Sequence, residues 1–110
     1  MYCTIDCSTS GATGQIKICG NFNLNHRAYF RNVCNELLQS PDIKKIEVLL
    51  DDVARIDSSA LGMLLTLNEQ AKSSGKTIFL KNPVGIVAKS LQTVNFEQLF
   101  PIEGLQKSNV

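Results

Sequence analysis

Apolar and polar residues alternate along some stretches of the chain and recur at helical spacing along others. The first pattern predicts strands over residues 2–7, 15–19, 43–50 and 76–81. The second predicts three helices, two between these strands and one after the last of them. Their inward-facing residues are Phe30, Val33, Cys34 and Leu37; Ala60, Leu64, Leu67 and Ala71; and Val84, Val87, Ala88 and Leu91. Strands that alternate with helices predict an α/β fold with parallel, right-handed crossovers.

Turn and capping residues set the predicted ends of these elements. A turn-rich link over residues 8–14 favours an antiparallel hairpin of the first two strands. Gly20 is expected to end the second strand, and Asn23 or Asn25 to cap the first helix. Pro41 ends that helix and Pro83 suits the first turn of the third. The tail over 96–102 is apolar enough to dock, and fraying is expected after Gly104.

The junction between the third strand and the second helix holds the candidate chemistry. The apolar run over 46–50 leads through an acidic segment into Ile-Asp-Ser-Ser-Ala-Leu-Gly at residues 56–62. Asp57 is a predicted N-cap, whose carboxylate accepts from backbone N–H groups of the first helical turn. Ser58 and Ser59 then stand at the helix N-terminus, where free N–H groups and the helix dipole accommodate a phosphoryl group.

This succession of strand, acidic segment, Ile-Asp-Ser-Ser-Ala-Leu-Gly and apolar helix resembles the signature of the STAS family, the bacterial anti-sigma-factor antagonists. The segment Gly-Asn-Phe-Asn at 20–23 resembles the family's Gly-x-apolar-Asp, with Asn23 where Asp is usual. Ala60 stands where Gly is common. The resemblance covers nearly the whole chain. It implies one STAS domain over 1–110, ordered from about 2 to 103, with a mixed four- to five-stranded sheet and helices mainly on one face.

The resemblance also implies a phosphorylation-switched interaction module. In the family, the first serine after the aspartate is phosphorylated by a partner kinase, and Ser58 occupies that position here. Unphosphorylated, the chain is expected to bind a GHKL-type serine kinase that acts as an anti-sigma factor. Phosphorylation would release that kinase, and a serine phosphatase would reset the switch. On this interpretation the protein is a cytoplasmic monomer with no cofactor and no catalysis of its own.

The outer side of the second predicted helix is the expected docking surface. Gly62 permits close approach of another backbone. Met63 is an adaptable apolar contact if it is exposed, and completes the core if it is not. Arg55 is placed to contact the partner or to pair with the phosphate. The predicted partner-binding residues are Asn23, Asp57, Ser58, Ser59, Gly62, Met63 and Thr66.

Composition narrows the range of partners. Eleven basic and ten acidic residues give a formal net charge of +1, and 44% of the residues are hydrophobic. This balance suggests neither a nucleic-acid-binding patch nor an anchor for anionic membranes. The longest apolar runs are too short to span a bilayer, and no basic-then-apolar leader opens the chain. These features favour the cytoplasm.

The four cysteines raise the question of a metal or a disulfide. Cys3 and Cys7 lie four residues apart on a predicted strand, which separates them by roughly 13 Å. One zinc ion or one disulfide cannot join thiols so far apart. We therefore interpret all four cysteines, including Cys19 and Cys34, as buried, reduced and metal-free residues that act as small hydrophobes on apolar faces.

Two other classes of function are less favoured by the sequence. Similar domains serve as non-phosphorylated accessory subunits on ABC-transporter ATPases, including lipid-transport systems; the intact Asp57-Ser58-Ser59 argues against that role. A nucleotide-binding or hydrolytic domain is disfavoured because the sequence has no phosphate-cradling Gly-rich loop with Lys. The only histidine, His26, is expected to be structural or partly exposed. Asp51 and Asp52 are expected to be solvated loop residues rather than metal ligands.

Overall fold

Five strands and three α-helices make up the part of the chain, residues 4–104, that the computed structural model describes. The strands are β1 (Thr4–Ser10), β2 (Thr13–Phe22), β3 (Lys45–Ile56), β4 (Thr77–Lys81) and β5 (Ile102–Glu103). The α-helices are α1 (Arg27–Gln39), α2 (Ser58–Ser73) and α3 (Gly85–Thr93), and two short 3₁₀ helices lie at Leu24–His26 and Phe96–Gln98.

The strands form one mixed sheet in the order β1-β2-β3-β4-β5. β1 and β2 form an antiparallel hairpin, whereas each later strand runs parallel to its neighbour. Each parallel connection contains one α-helix, as the alternating pattern predicts. The predicted mixed α/β fold is confirmed, and β3 lies at the centre of the sheet as expected.

The helices cover one face of this sheet. Strand residues on that face are almost fully buried: Ile5, Ile16, Ile18, Ile46, Val48, Leu50, Ile78 and Leu80. The predicted stripes of α1 and α2 are buried against them without exception. α1 and β2 approach closely at Gly14, where a Cβ atom on this residue would lie 2.7 Å from Leu37 Cδ2. Alternation of strand residues thus separates a helix-covered face from an open one.

The open face carries an ionic cluster around Glu47, whose side chain is only 7% exposed. Glu47 Oε1 accepts a hydrogen bond of 2.8 Å from Gln15 Nε2. Its Oε2 lies 2.8 Å from Lys81 Nζ and 3.3 Å from Lys45 Nζ. Lys81 also pairs with Glu103 at 3.1 Å, and Lys45 lies over the Phe79 ring, 4.4 Å from its centroid. These contacts tie β2, β3, β4 and β5 together.

The hairpin is tighter than the sequence suggested. β1 runs to Ser10 and β2 begins at Thr13, so only Gly11 and Ala12 form the turn. The predicted loop over 8–14 is therefore wrong. Gly11 has a φ of +59°, the left-handed value that two-residue hairpin turns require. The end of β1 shows no apolar alternation because β1 is an edge strand in which only Ile5 is buried.

β2 and β3 also extend each other beyond their predicted ends. Gly20 does not end β2; the strand continues to Phe22 through a register irregularity beside Gly20. β3 continues past Leu50 to Ile56, so Asp51 and Asp52 are exposed strand residues rather than loop residues. The two extensions depend on each other, because residues 19–22 of β2 pair with residues 52–56 of β3 and satisfy each other's backbone hydrogen-bonding groups.

The third helix begins later than predicted. Pro83 precedes the helix, Val84 is its N-cap and is 52% exposed, and the helix starts at Gly85. Asn82, just before Pro83, has a φ of +56°, and Val84 is extended, so the chain is not helical before Gly85. Within α3 the stripe is narrower than predicted, since Val87 and Leu91 are buried but Ala88 only partly so.

The C-terminal segment docks as predicted, with Phe96 and Phe100 buried and β5 paired with β4. The fraying expected after Gly104 lies outside the described residues. None of the described helices is both long and apolar enough to cross a bilayer.

The cysteines divide into different environments. Cys34 is buried as predicted, and burial, followed by the nearby Cys7, raises the pKa of its thiol to about 12. Cys7 is exposed and Cys19 is only half-buried, so the prediction that these two are buried is wrong. Cys7 lies on the edge strand, where helix cover runs out, and Cys19 Sγ faces Asp52 Oδ2 at 3.8 Å. Cys3 lies outside the described residues.

Candidate functional site

Asp57 is the N-cap of α2, as the sequence predicts. Its backbone is extended, and its Oδ1 accepts a hydrogen bond of 2.8 Å from Ala60 N. The Asp57 carbonyl oxygen accepts from Leu61 N at 3.1 Å, which begins the helical ladder. The first residue of the helix is therefore Ser58.

The second carboxylate oxygen of Asp57 joins the start of α2 to the loop before α1. Asp57 Oδ2 accepts from Leu24 N at 3.3 Å, across 33 residues of sequence. The Asp57 backbone N–H donates to the Phe22 carbonyl at 3.3 Å. Two loops that follow parallel strands thus meet at the carboxyl edge of the sheet. No pattern in the sequence indicates this connection, because Leu24 and Asp57 come close only after β2 and β3 pair.

Asn23 holds the other side of this junction. It caps the 3₁₀ helix, its Oδ1 accepting from Asn25 N at 3.0 Å. Its backbone N–H donates to His26 Nδ1 at 3.4 Å, which completes a capping box. His26 therefore has the structural, half-buried place that the sequence suggested. The uncharged Asn23 therefore fixes the conformation of the loop in which the Leu24 N–H donates to Asp57.

Ser58 is exposed and Ser59 is half-buried. Neither hydroxyl forms a hydrogen bond with any group of residues 4–104. Ser58 therefore presents a neutral hydroxyl at the N-terminus of a sixteen-residue helix. Free N–H groups and the positive end of the helix dipole at this position favour an added phosphoryl group.

A cleft of about 360 Å³ opens beside Asp57, between the ends of β2 and β3 and the start of α3. Asn21, Asn23, Arg55, Asp57 and Ile86 contribute to its wall. The Arg55 guanidinium makes no ion pair with another described residue. The cleft thus has on its wall a cation without an ion-pair partner among residues 4–104, an exposed apolar side chain, and Asp57, the residue that precedes Ser58.

The remaining predicted docking residues lie along α2. Gly62 and Thr66 are exposed, and Thr66 Oγ1 donates to the Gly62 carbonyl at 3.0 Å. Met63 is only 8% exposed and lies at the bottom of a groove between α1 and α2. Of the two roles open to Met63, completion of the core is therefore the one that the structure supports. Leu65 is partly buried against the same core.

Replacement of Asp57 by alanine is expected to destabilise the domain by about 1–2 kcal/mol, because the helix loses its side-chain cap. The Leu24 amide loses its acceptor at the same time. Asp57→Asn is the matched control, since it retains an oxygen for Ala60 N and should cost much less. Urea unfolding measures the stabilities, and hydrogen exchange at Leu24 reports the loop. Equal stability of the two variants would contradict this account of the cap.

The family model described as "Mlab, STAS domain" matches residues 5–103. The chain belongs to the STAS-domain family. A STAS-domain containing protein of Pseudomonas aeruginosa is 37% identical over 95 residues, which cover 86% of this chain and 92% of that protein. The STAS assignment extends over the whole region that contains Asn23, Asp57 and Ser58.

Solved structures of proteins described as anti-sigma factor antagonists share this fold. A candidate anti-sigma factor antagonist from Thermotoga maritima superposes with a TM-score of 0.81 at 23% identity, over 90% of this chain and 85% of that chain. The Bacillus cell fate determinant SpoIIAA, in its phosphorylated form, gives a TM-score of 0.72 at 15% identity, over 90% of each chain. At such identities the likeness is one of fold.

Proposed function

We propose that this STAS domain is an anti-sigma-factor antagonist whose binding to a serine kinase is switched by phosphorylation of Ser58. The observation that carries the proposal is the exposed, unbonded Ser58 hydroxyl at the first position of α2. A kinase can reach this hydroxyl without unfolding any part of the domain. Ser59 is half-buried, so Ser58 is the better acceptor of the two.

The surroundings of Ser58 favour a phosphate. Both carboxylate oxygens of Asp57 already accept backbone N–H groups, which offsets part of their repulsion of a second anion. Arg55 on the wall of the neighbouring cleft adds a positive charge without an ion-pair partner among residues 4–104. A phosphoserine at a helix N-terminus is also stabilised by the dipole of that helix.

In this proposal the domain supplies a surface and an acceptor hydroxyl but no catalytic base. The one histidine cannot serve Ser58, because His26 Nδ1 already accepts from Asn23 N in the capping box. The partner is a GHKL-type serine kinase with anti-sigma activity, and a serine phosphatase resets the switch. All three proteins would act in the cytoplasm, the antagonist as a monomer.

Incubation with Mg-ATP and the GHKL-type kinase of the same cell is expected to add one phosphate, on Ser58. The domain alone should not label itself, since it offers no base to activate the hydroxyl. Ser58→Ala should abolish labelling, whereas the matched control Ser59→Ala should keep it. Intact-mass and fragment-ion spectrometry identify the site. Self-labelling, or labelling of Ser59 at the wild-type rate in the Ser58→Ala protein, would contradict the proposal.

The alternative role, a non-phosphorylated accessory subunit of an ABC transporter for lipids, has one specific observation in its favour. Leu24, whose backbone N–H donates to Asp57, is 51% exposed. Ile86, on the wall of the cleft that Asp57 lines, is 58% exposed. Large apolar side chains exposed near one cleft are typical of a surface that a stable partner covers. Stoichiometric co-purification with a transporter ATPase, undiminished in Ser58→Asp, would favour this role over the kinase switch.

A further inference from the structure

A groove of about 410 Å³ runs between α1 and α2, beginning one helical turn beyond Ser58. Its floor consists of Phe30, Cys34, Met63 and Leu67, and none of these side chains is more than 8% exposed. They are already part of the core, so an apolar occupant would remove little additional apolar surface from water. The groove is therefore poorly suited to an acyl chain.

The α1 wall of the groove is positively charged. Arg27 and Arg31 lie one turn apart on this wall and are both exposed. No other charged residue lines the groove within the described part of the chain. Neither guanidinium has an ion-pair or hydrogen-bond partner among residues 4–104. Like charges at this spacing repel each other, and an acidic occupant would neutralise both.

The α2 wall contains Gly62, which the fold itself does not require. Gly62 does not have the positive φ that favours glycine, and a Cβ atom built on it meets nothing within 4 Å. Glycine inside a helix is less favourable than alanine. The missing side chain instead leaves the α2 backbone open to close approach from outside the domain.

We propose that this groove binds an acidic helical segment of a protein partner. Two carboxylates spaced four residues apart on that segment would pair with Arg27 and Arg31, and small residues would lie over Gly62. The wall from Arg27 to Cys34 extends for roughly 10 Å, which is two turns of a helix. The groove continues the surface that begins at Ser58, but binding to it requires no phosphorylation.

Two synthetic peptides test the charge requirement. One is an alanine-rich helical peptide of about 16 residues with two glutamates four residues apart, and the other has glutamine at both positions. Titration of the ¹⁵N-labelled full chain should show the glutamate peptide binding at least about tenfold more tightly. The backbone amides of Arg31, Gly62 and Thr66 should shift the most. Equal affinity of the two peptides, or shifts elsewhere on the domain, would overturn the proposal.

Matched variants locate the contacts. The double variant Arg27→Gln/Arg31→Gln should bind the glutamate peptide no better than wild type binds the glutamine peptide. Lys72→Gln/Lys89→Gln, which removes two exposed charges outside the groove, should change affinity less than about twofold. Gly62→Ala should melt at or above the wild-type temperature, while Gly62→Leu should remain folded and lose the peptide. If the glutamate peptide still binds both to Arg27→Gln/Arg31→Gln and to Gly62→Leu, the groove is not its binding site and the proposal is wrong.

Two further arms separate this proposal from its rivals. If phosphatidylglycerol vesicles bind through Arg27 and Arg31 while the peptide does not, the groove faces a membrane and the proposal is wrong. Ser58→Asp should bind the glutamate peptide like wild type. Loss of peptide binding with intact kinase labelling overturns the groove alone, whereas intact peptide binding without labelling overturns only the Ser58 switch.

Discussion

Ser58→Asp is expected to weaken binding to the partner kinase by about ten- to a thousand-fold, whereas Ser58→Ala should keep wild-type affinity. The partner surface would be complementary to a small neutral hydroxyl. A carboxylate of the partner within about 4 Å of the new charge costs roughly 1–4 kcal/mol per charge pair, depending on the local dielectric. A phosphate, with about −1.5 to −2 charges, should have a larger effect than aspartate.

The domain itself should tolerate this change. Ser58 is exposed, makes no hydrogen bond with residues 4–104, and begins a helix whose dipole favours a negative charge at that end. Ser58→Asp should therefore have the circular dichroism and melting temperature of wild type. The affinity loss is then assigned to the interface rather than to unfolding.

Calorimetric titration of the kinase with each variant measures this effect. Ser73→Asp, the same substitution at the other end of α2, is the matched control and should leave the affinity nearly unchanged. Equal affinities for Ser58→Ala and Ser58→Asp would refute a switch at this residue. A melted Ser58→Asp would show that the charge acts by unfolding the domain.

Glu47→Gln is expected to lower the free energy of unfolding at neutral pH by about 1–2 kcal/mol, because water on the open face screens part of its ion pairs, and the loss should vanish in acid. Hydrogen bonds from Gln15 and then Lys81 lower the pKa of the Glu47 carboxyl from 4.5 to about 2, against the opposing effect of burial. Because the pKa is lower in the folded state, ionised Glu47 stabilises the fold.

The pH window follows from those two pKa values. The Glu47 contribution is fully present above the unfolded-state pKa near 4.5 and is lost as the pH falls towards about 2. Urea unfolding of wild type and Glu47→Gln should therefore give curves of stability against pH that converge over this interval. Glu69→Gln, at an exposed position of α2 without an ion pair to another described residue, should give no such convergence. A constant difference between wild type and Glu47→Gln down to pH 2 would contradict the role of the ionised carboxylate.

The sequence by itself determined the features that depend on a few neighbouring residues. The helical stripes through Leu37 and Leu64 are visible in the sequence because the core-facing side of a helix repeats every three or four positions. The cap at Asp57 and the exposure of Ser58 follow from one turn of local geometry. The choice of Ser58 as candidate phosphoacceptor rests on this local geometry together with the resemblance of its flanking motif to the STAS signature, and it needs no tertiary contact.

Only the tertiary structure decided what depends on residues distant in the chain. β3 runs to Ile56 because β2 lies beside it, and the Leu24 amide reaches Asp57 across 33 residues only after these strands pair. Met63 is buried because α1 packs beside α2, while Cys7 is exposed because it lies on an edge strand. The hydrophobicity of a side chain determines whether its burial is favourable, but it is buried only where a neighbouring helix or strand packs over it.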